Sequence, residues 1–261
     1  MSRIALIAGQ GDLPATLAAT LPPGWIARHL EGQPPDGIAS EPFRLERLGT
    51  LLRELVAAGV AEVCFVGGIA RPRLDPSALD AATMPLVPRI LAALRDGDDA
   101  ALRAVVATFE EAGLQVRGAH ELAPALLDLP LAGAPGPRDR DDIARAAAIH
   151  AALAPLDVGQ GCVVAGGQAL AVEGLGGTNW MLESLARPFP RPEGGVLYKA
   201  AKAGQDRRVD MATIGPGTVE RAAAIGLGGI AVRRGDVLVV DAAGTRAALA
   251  RTGLFLADAS G

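Results

Sequence analysis

The stretch from Lys199 to Thr218 gathers the side chains best suited to chemistry. Within twenty residues it holds Lys199, Lys202, Gln205, Asp206, Arg207, Arg208, Asp210, Thr213 and Thr218. Cations at this density neutralise phosphate oxygens and the charge that develops when phosphorus is attacked. A carboxylate among them can bind Mg²⁺ or act as base toward water. Gly215, Gly217 and the start of the helix that follows offer backbone donors to an anion. Pyrophosphate hydrolysis needs these groups in one place. Mixed charge alone would equally suit a solvated surface loop.

Two glycine turns form a second set. Gly9-Gln10-Gly11 follows an apolar strand, Ile4–Ala8, and precedes a helix from Leu13 to about Ala19 that Asp12 is expected to cap. Gly67-Gly68 follows the strand Val63–Val66 and leads to Arg71. In open α/β sheets, ligands sit at the carboxyl ends of strands. Gly9, Gly11, Gly67 and Gly68 would lie on that edge, with Arg71 in reach of a phosphate. A plain tight turn and a solvated arginine are the bland alternatives. Pro14 stands where the third glycine of the dinucleotide fingerprint belongs, which disfavours a hydride-transfer cofactor. Asp98-Asp99, after Gly97, reads first as a helix cap.

These groups need a scaffold. Half of the 261 residues are hydrophobic, yet only 3% are aromatic. The core is therefore built from Ala, Leu, Val and Ile, as suits helices packed on a parallel sheet. Four times a helical stretch ends at a glycine and a strand follows, at Gly59, Gly113, Gly226 and Gly253. Gly166-Gly167 between two apolar runs signals a hairpin. The fold class is α/β with two domains: a Rossmann-like parallel-sheet domain at 1–133 and a mixed α/β domain at 141–261. Pro130, Pro135 and Pro137 mark 134–140 as the linker between them.

Composition narrows the partners. Lys plus Arg number 25 and Asp plus Glu 29, for a net charge of −4, which argues against nucleic acid. Cys64 and Cys162 lie in apolar runs and are expected to be buried free thiols. The three histidines are too scattered for a zinc site. The amino terminus lacks the pattern of a signal peptide, and no apolar run is long enough to span a bilayer. The expected location is cytoplasmic.

The ordered motifs resemble the LpxI family of UDP-2,3-diacylglucosamine pyrophosphatases over nearly the whole chain. They are Ile4–Pro14, Val63–Pro72, Gly97–Arg103, Leu156–Gly161, Val172-Glu173 with Gly177-Thr178, and above all Lys199 to Thr218. The resemblance implies two domains with a lipid ligand between them. It also implies Mg²⁺ dependence (with Mn²⁺ as substitute), and release of UMP and 2,3-diacylglucosamine 1-phosphate. An essential aspartate of the family matches Asp210. Asn179 stands where the family carries aspartate, so it cannot be a charged ligand or base here.

On this basis Asp210, Asp206 and Lys199 are the catalytic expectations. Asp210, Asp206 and Glu173 are the expected metal ligands. Lys202, Gln205, Arg207, Arg208, Thr178, Thr213 and Gly215 are expected to bind substrate with the glycine turns and Arg71. A homodimer and transient contact at the inner membrane complete the expectation. The competing class is a non-catalytic binder of nucleotide sugars or lipid phosphates.

Overall fold

The computed structural model describes residues 3–70, 74–95 and 98–260. The chain packs as two compact units. Unit 1 comprises Met1–Pro124 and Asp206–Asp210; unit 2 comprises Ala125–Gln205 and Met211–Gly261.

Unit 1 runs β1 (Arg3–Ala8), α1 (Leu13–Ala18), β2 (Ile26–Leu30), β3 (Glu41–Phe43), α2 (Leu48–Ala57), β4 (Val60–Val66), α3 (Val87–Arg95), α4 (Asp98–Glu111), β5 (Gln115–Val116) and α5 (Ala119–Leu122). Its five strands lie in the order β3-β2-β1-β4-β5, and every pair is parallel. Ala5, Leu6, Ile7 and Ala8 of β1 are all buried, as a central parallel strand covered on both faces requires. Leu48, Leu51, Leu52 and Leu55 recur at helical spacing on α2 and pack with Val63, Phe109 and Leu114. The connections reverse direction at β1, which makes its carboxyl end the switch point where such sheets take ligands.

Unit 2 runs α6 (Pro137–Leu153), β6 (Gly161–Ala165), β7 (Gln168–Val172), α7 (Gly177–Ser184), β8 (Val196–Lys199), β9 (Ala212–Ile214), α8 (Pro216–Ala224), β10 (Gly229–Val232), β11 (Val237–Val239), α9 (Ala242–Thr252) and β12 (Phe255–Asp258). Its main sheet has the order β12-β10-β8-β6-β7. β12, β10 and β8 are parallel, while β6 is antiparallel to both β8 and β7. β9 and β11 form a separate parallel pair. The buried Asp142 of α6 accepts the N–H groups of Gly166 and Gly167, so the helix holds the β6–β7 hairpin turn.

The four helix–glycine–strand joints occur as expected, each glycine with positive φ. Two details differ from the sequence reading. The division between units falls at Pro124/Ala125 rather than at 134–140. Ala132 bridges Leu256, Leu129 and Ala132 pack on the core of unit 2, and Pro137 opens α6. Prolines that read as linker punctuation are in fact a docked strap and a helix start. Asp12 precedes α1 but makes no side-chain cap. Its backbone is already helical, whereas a capping side chain needs an extended backbone there.

Candidate active site

The sequence-singled residues fall into two groups, one in each unit. In unit 2 the centre is Lys199, the last residue of β8 and 3% exposed. Its Nζ donates to Thr178 Oγ1 at 2.5 Å and stands 3.5 Å from Glu173 Oε2. Thr178 Oγ1 in turn donates to the same Glu173 oxygen at 2.8 Å. A buried ammonium, a hydroxyl and a buried carboxylate thus form a closed triangle.

The local chain is shaped to admit this triangle. Gly161 pairs with Lys199 across the β6–β8 ladder. A Cβ on Gly161 would come within 2.8 Å of the Tyr198 carbonyl oxygen, 3.1 Å of the Lys199 stem and 3.2 Å of the Glu173 carboxylate. Only glycine leaves that space.

Around the triangle stand further polar groups. Lys202 forms an ion pair with Asp157, and its N–H donates to Gln205 Oε1 at 2.8 Å. His150, in the last turn of α6, stacks at a tilt on Tyr198 with ring centroids 5.6 Å apart. Its Nε2 is buried without a partner, and burial pushes the imidazole below its usual pKa. The scattered histidines gave no reason to single it out. Asp142, Ala146 and His150, four residues apart and all buried, mark the helix face that would have found it. Asn179 is exposed in the first turn of α7.

In unit 1 the two glycine turns meet. Gln10 and Gly68 form an antiparallel bridge with N–H···O distances of 2.8 and 2.9 Å, and Gly9 N–H donates to Val66. A side chain on Gly9 would strike the Gly68 carbonyl at 2.3 Å. The turns lie at the carboxyl ends of adjacent strands β1 and β4, as expected. The N–H groups of Gly9, Gln10 and Gly68 are spent on holding the turns together, however, and so do not point free toward an anion. Arg71 lies outside the described residues.

The Asp206–Asp210 segment forms a tight turn in this same unit. The N–H groups of Val209 and Asp210 both donate to the Asp206 carbonyl. The Asp206 carboxylate accepts Arg208 Nε at 3.0 Å and Nη2 at 2.7 Å, plus the Arg208 backbone N–H at 3.0 Å. The Arg208 hydrogen bonds hold the Asp206 carboxyl below the usual range, and Asp206 pushes the Arg208 guanidinium up. Arg208 also reaches Glu110 on α4 at 2.7 Å. Val209 packs on the unit 1 core. The Arg208 backbone passes close over Gly118, just past the carboxyl end of β5. The turn therefore lies beside α4 and the segment that follows β5. Asp210 is half-buried at its end, and Arg207 is exposed.

Thr213 and Gly215 lie in unit 2, on β9 and at the start of α8. Thr213 Oγ1 bonds the Met211 carbonyl, and the Gly215 N–H is taken by Thr218. Gly215 is also closed in by Val240, which leaves no room for a side chain there. Of the three expected metal ligands, Glu173 belongs to unit 2, and Asp206 and Asp210 belong to unit 1. Among the described residues no cluster of three or more His, Cys, Asp or Glu could hold a metal ion. Cys64 and Cys162 are buried free thiols, each pushed up to about 12 by burial. A cavity of about 680 Å³ is lined by Leu185, Phe189, Arg191 and Ile225. It is formed by segments leading into β8 and β10 and touches none of these groups.

The family model of the LpxI N-terminal domain matches residues 3–126, and that of the LpxI C-terminal domain matches residues 128–257. The UDP-2,3-diacylglucosamine pyrophosphatase LpxI of Caulobacter vibrioides is 36% identical over 272 aligned residues, covering 98% of this chain and 97% of that protein.

Proposed function

This chain belongs to the LpxI family, and on that premise we propose that it hydrolyses the pyrophosphate of UDP-2,3-diacylglucosamine. The products are UMP and 2,3-diacylglucosamine 1-phosphate, in the synthesis of lipid A. The observation that carries the reading is the Asp206–Asp210 turn, which sets two carboxylates and the bound Arg208 guanidinium within five residues.

The reaction forms a bond from a water oxygen to one phosphorus as the bridging P–O bond breaks. Asp210 orients that water and draws off its proton. Asp206 fixes Arg208, which presents its positive charge in a set orientation. Lys199 and Lys202 are the cations that unit 2 offers to a phosphate. Thr178 and Glu173 hold Lys199 in a single rotamer. Asp206 and Glu173 are already engaged by cations, which does not fit a preformed protein cage for a metal. Asp210 would hold a Mg²⁺, with Asp206 as the second carboxylate of the same turn. Such an ion would supply charge neutralisation to the substrate. Exposed Asn179 has no part in it.

Among the described residues no helix is long and apolar enough to cross a membrane. The reading carries a cytoplasmic location, transient contact with the inner membrane and a homodimer. Incubation with UDP-2,3-diacylglucosamine and Mg²⁺, followed by mass spectrometry, tests it. UMP and the lipid phosphate are expected in equal amounts. Tight retention of intact substrate without products would instead identify a binding protein.

A further inference from the structure

Two short loops of unit 2 turn apolar side chains outward while their bases are clamped at the Lys199 triangle. The first spans Gly174–Gly177. Glu173 before it and Thr178 after it are hydrogen-bonded to each other, and Gly177 N–H donates to Gly174 O at 2.9 Å. Leu175 at its tip is 100% exposed. Trp180, 62% exposed, lies against Gly176, where a Cβ would come within 2.7 Å of the indole. The second loop carries Leu156, 70% exposed, and Val158. Asp157 between them takes the left-handed conformation and ion-pairs with Lys202. Gly159 is pressed on the Glu173 backbone, so the two loops share one base.

Fully exposed Leu at a turn is unfavourable in water, and here the clamped base prevents retreat into the core. Four side chains on two tips fall short of the roughly 800 Å² per partner of a stable protein interface. Aliphatic tips beside a tryptophan, with lysines behind them, suit the boundary between lipid headgroups and acyl chains.

We propose that Leu156, Val158, Leu175 and Trp180 form a lipid-docking rim that dips into a phospholipid bilayer surface. The proposal rests on the hydrolase reading above, and names the surface on which that site meets its lipid substrate. Docking is carried by the apolar tips, so it persists on zwitterionic lipid and is little affected by salt.

The test uses the full chain with Trp25→Phe, which leaves Trp180 as the sole tryptophan. Phosphatidylcholine vesicles are added, with and without phosphatidylglycerol. Trp180 emission is expected to shift to shorter wavelength and to be quenched by brominated acyl chains. Leu175→Ser is expected to weaken co-sedimentation with vesicles about tenfold, since losing one buried leucine is worth at least that much. The same variant should keep wild-type hydrolysis of detergent-dispersed substrate and lose it on vesicle-borne substrate. An unshifted Trp180, binding that salt abolishes, or wild-type vesicle affinity in Leu175→Ser would overturn the proposal. So would a dimer that Leu175→Ser splits in sedimentation velocity, because a second copy would then cover the tips. If vesicle docking holds and dispersed substrate is still not cleaved, the hydrolase reading fails alone.

Discussion

Removing one member of the Lys199–Glu173 pair should be far more damaging than removing both. Both residues are over nine-tenths buried, and their charges stand 3.5 Å apart. At an effective dielectric of about 20, that separation gives roughly 5 kcal/mol of Coulomb attraction. Stripping one partner from a buried pair strands the other and costs about 3–5 kcal/mol, whereas replacing both is often near neutral. Glu173→Gln and Lys199→Met should each lower stability by about 3–5 kcal/mol. At roughly 2–4 °C per kcal/mol the melting temperature falls by some 6–20 °C. The double variant should recover most of this loss, with a coupling energy above about 2 kcal/mol. Calorimetry on the four proteins measures the cycle. If the two losses add within about 0.5 kcal/mol, the residues are not coupled and the triangle is not an energetic unit. Turnover separates fold from chemistry. The double variant should fold nearly as wild type yet lose at least about a hundredfold in kcat, because the charge of Lys199 is gone.

Gly161→Ala should cost about 1–3 kcal/mol by crowding Tyr198 and Lys199, and should lower kcat more than it changes KM. Thermal melts with steady-state kinetics check both. Asp206 has a lowered folded pKa, chiefly through its Arg208 hydrogen bonds. Its stabilisation is full above the unfolded value of about 3.9 and is lost as pH falls through the lower folded value. The gap in urea midpoint between wild type and Asp206→Asn should therefore be wide at pH 7 and shrink in acid below about pH 4. Chelation by EDTA should abolish turnover and Mg²⁺ restore it, with the melting temperature unchanged, because no all-protein cage is expected to fold around the ion. A melting temperature that drops with EDTA would contradict this.

Local rules carried the sequence reading a long way. Each helix that ends at a glycine before an apolar run, as at Gly59 or Gly253, is punctuated by backbone sterics that act within a few residues. The same holds for the Gly166-Gly167 hairpin. β2 and β11 escaped because charged residues interrupt or precede their apolar runs, Arg28-His29 within β2 and Arg233-Arg234 before β11. The docking of 125–133 onto unit 2 is a long-range pairing with Leu256, which no local pattern encodes. The same limit applies to the chemical motif. The string from Lys199 to Thr218 is continuous in sequence, yet Lys199 and Lys202 serve unit 2 while Asp206 to Asp210 fold onto unit 1. Spacing revealed the residue types suited to phosphate. It did not reveal that Arg208 is held by Asp206 and Glu110, or that the glycine turns consume each other's donors.

UMP release by an Asp210→Ala variant, set against wild type under the same Mg²⁺ and lipid conditions, bears most directly on the proposed chemistry. A fall in kcat of at least about a hundredfold is expected, with retained substrate binding. Turnover near the wild-type rate would mean that another group activates the water, and the assignment of the Asp206–Asp210 turn to catalysis would be contradicted.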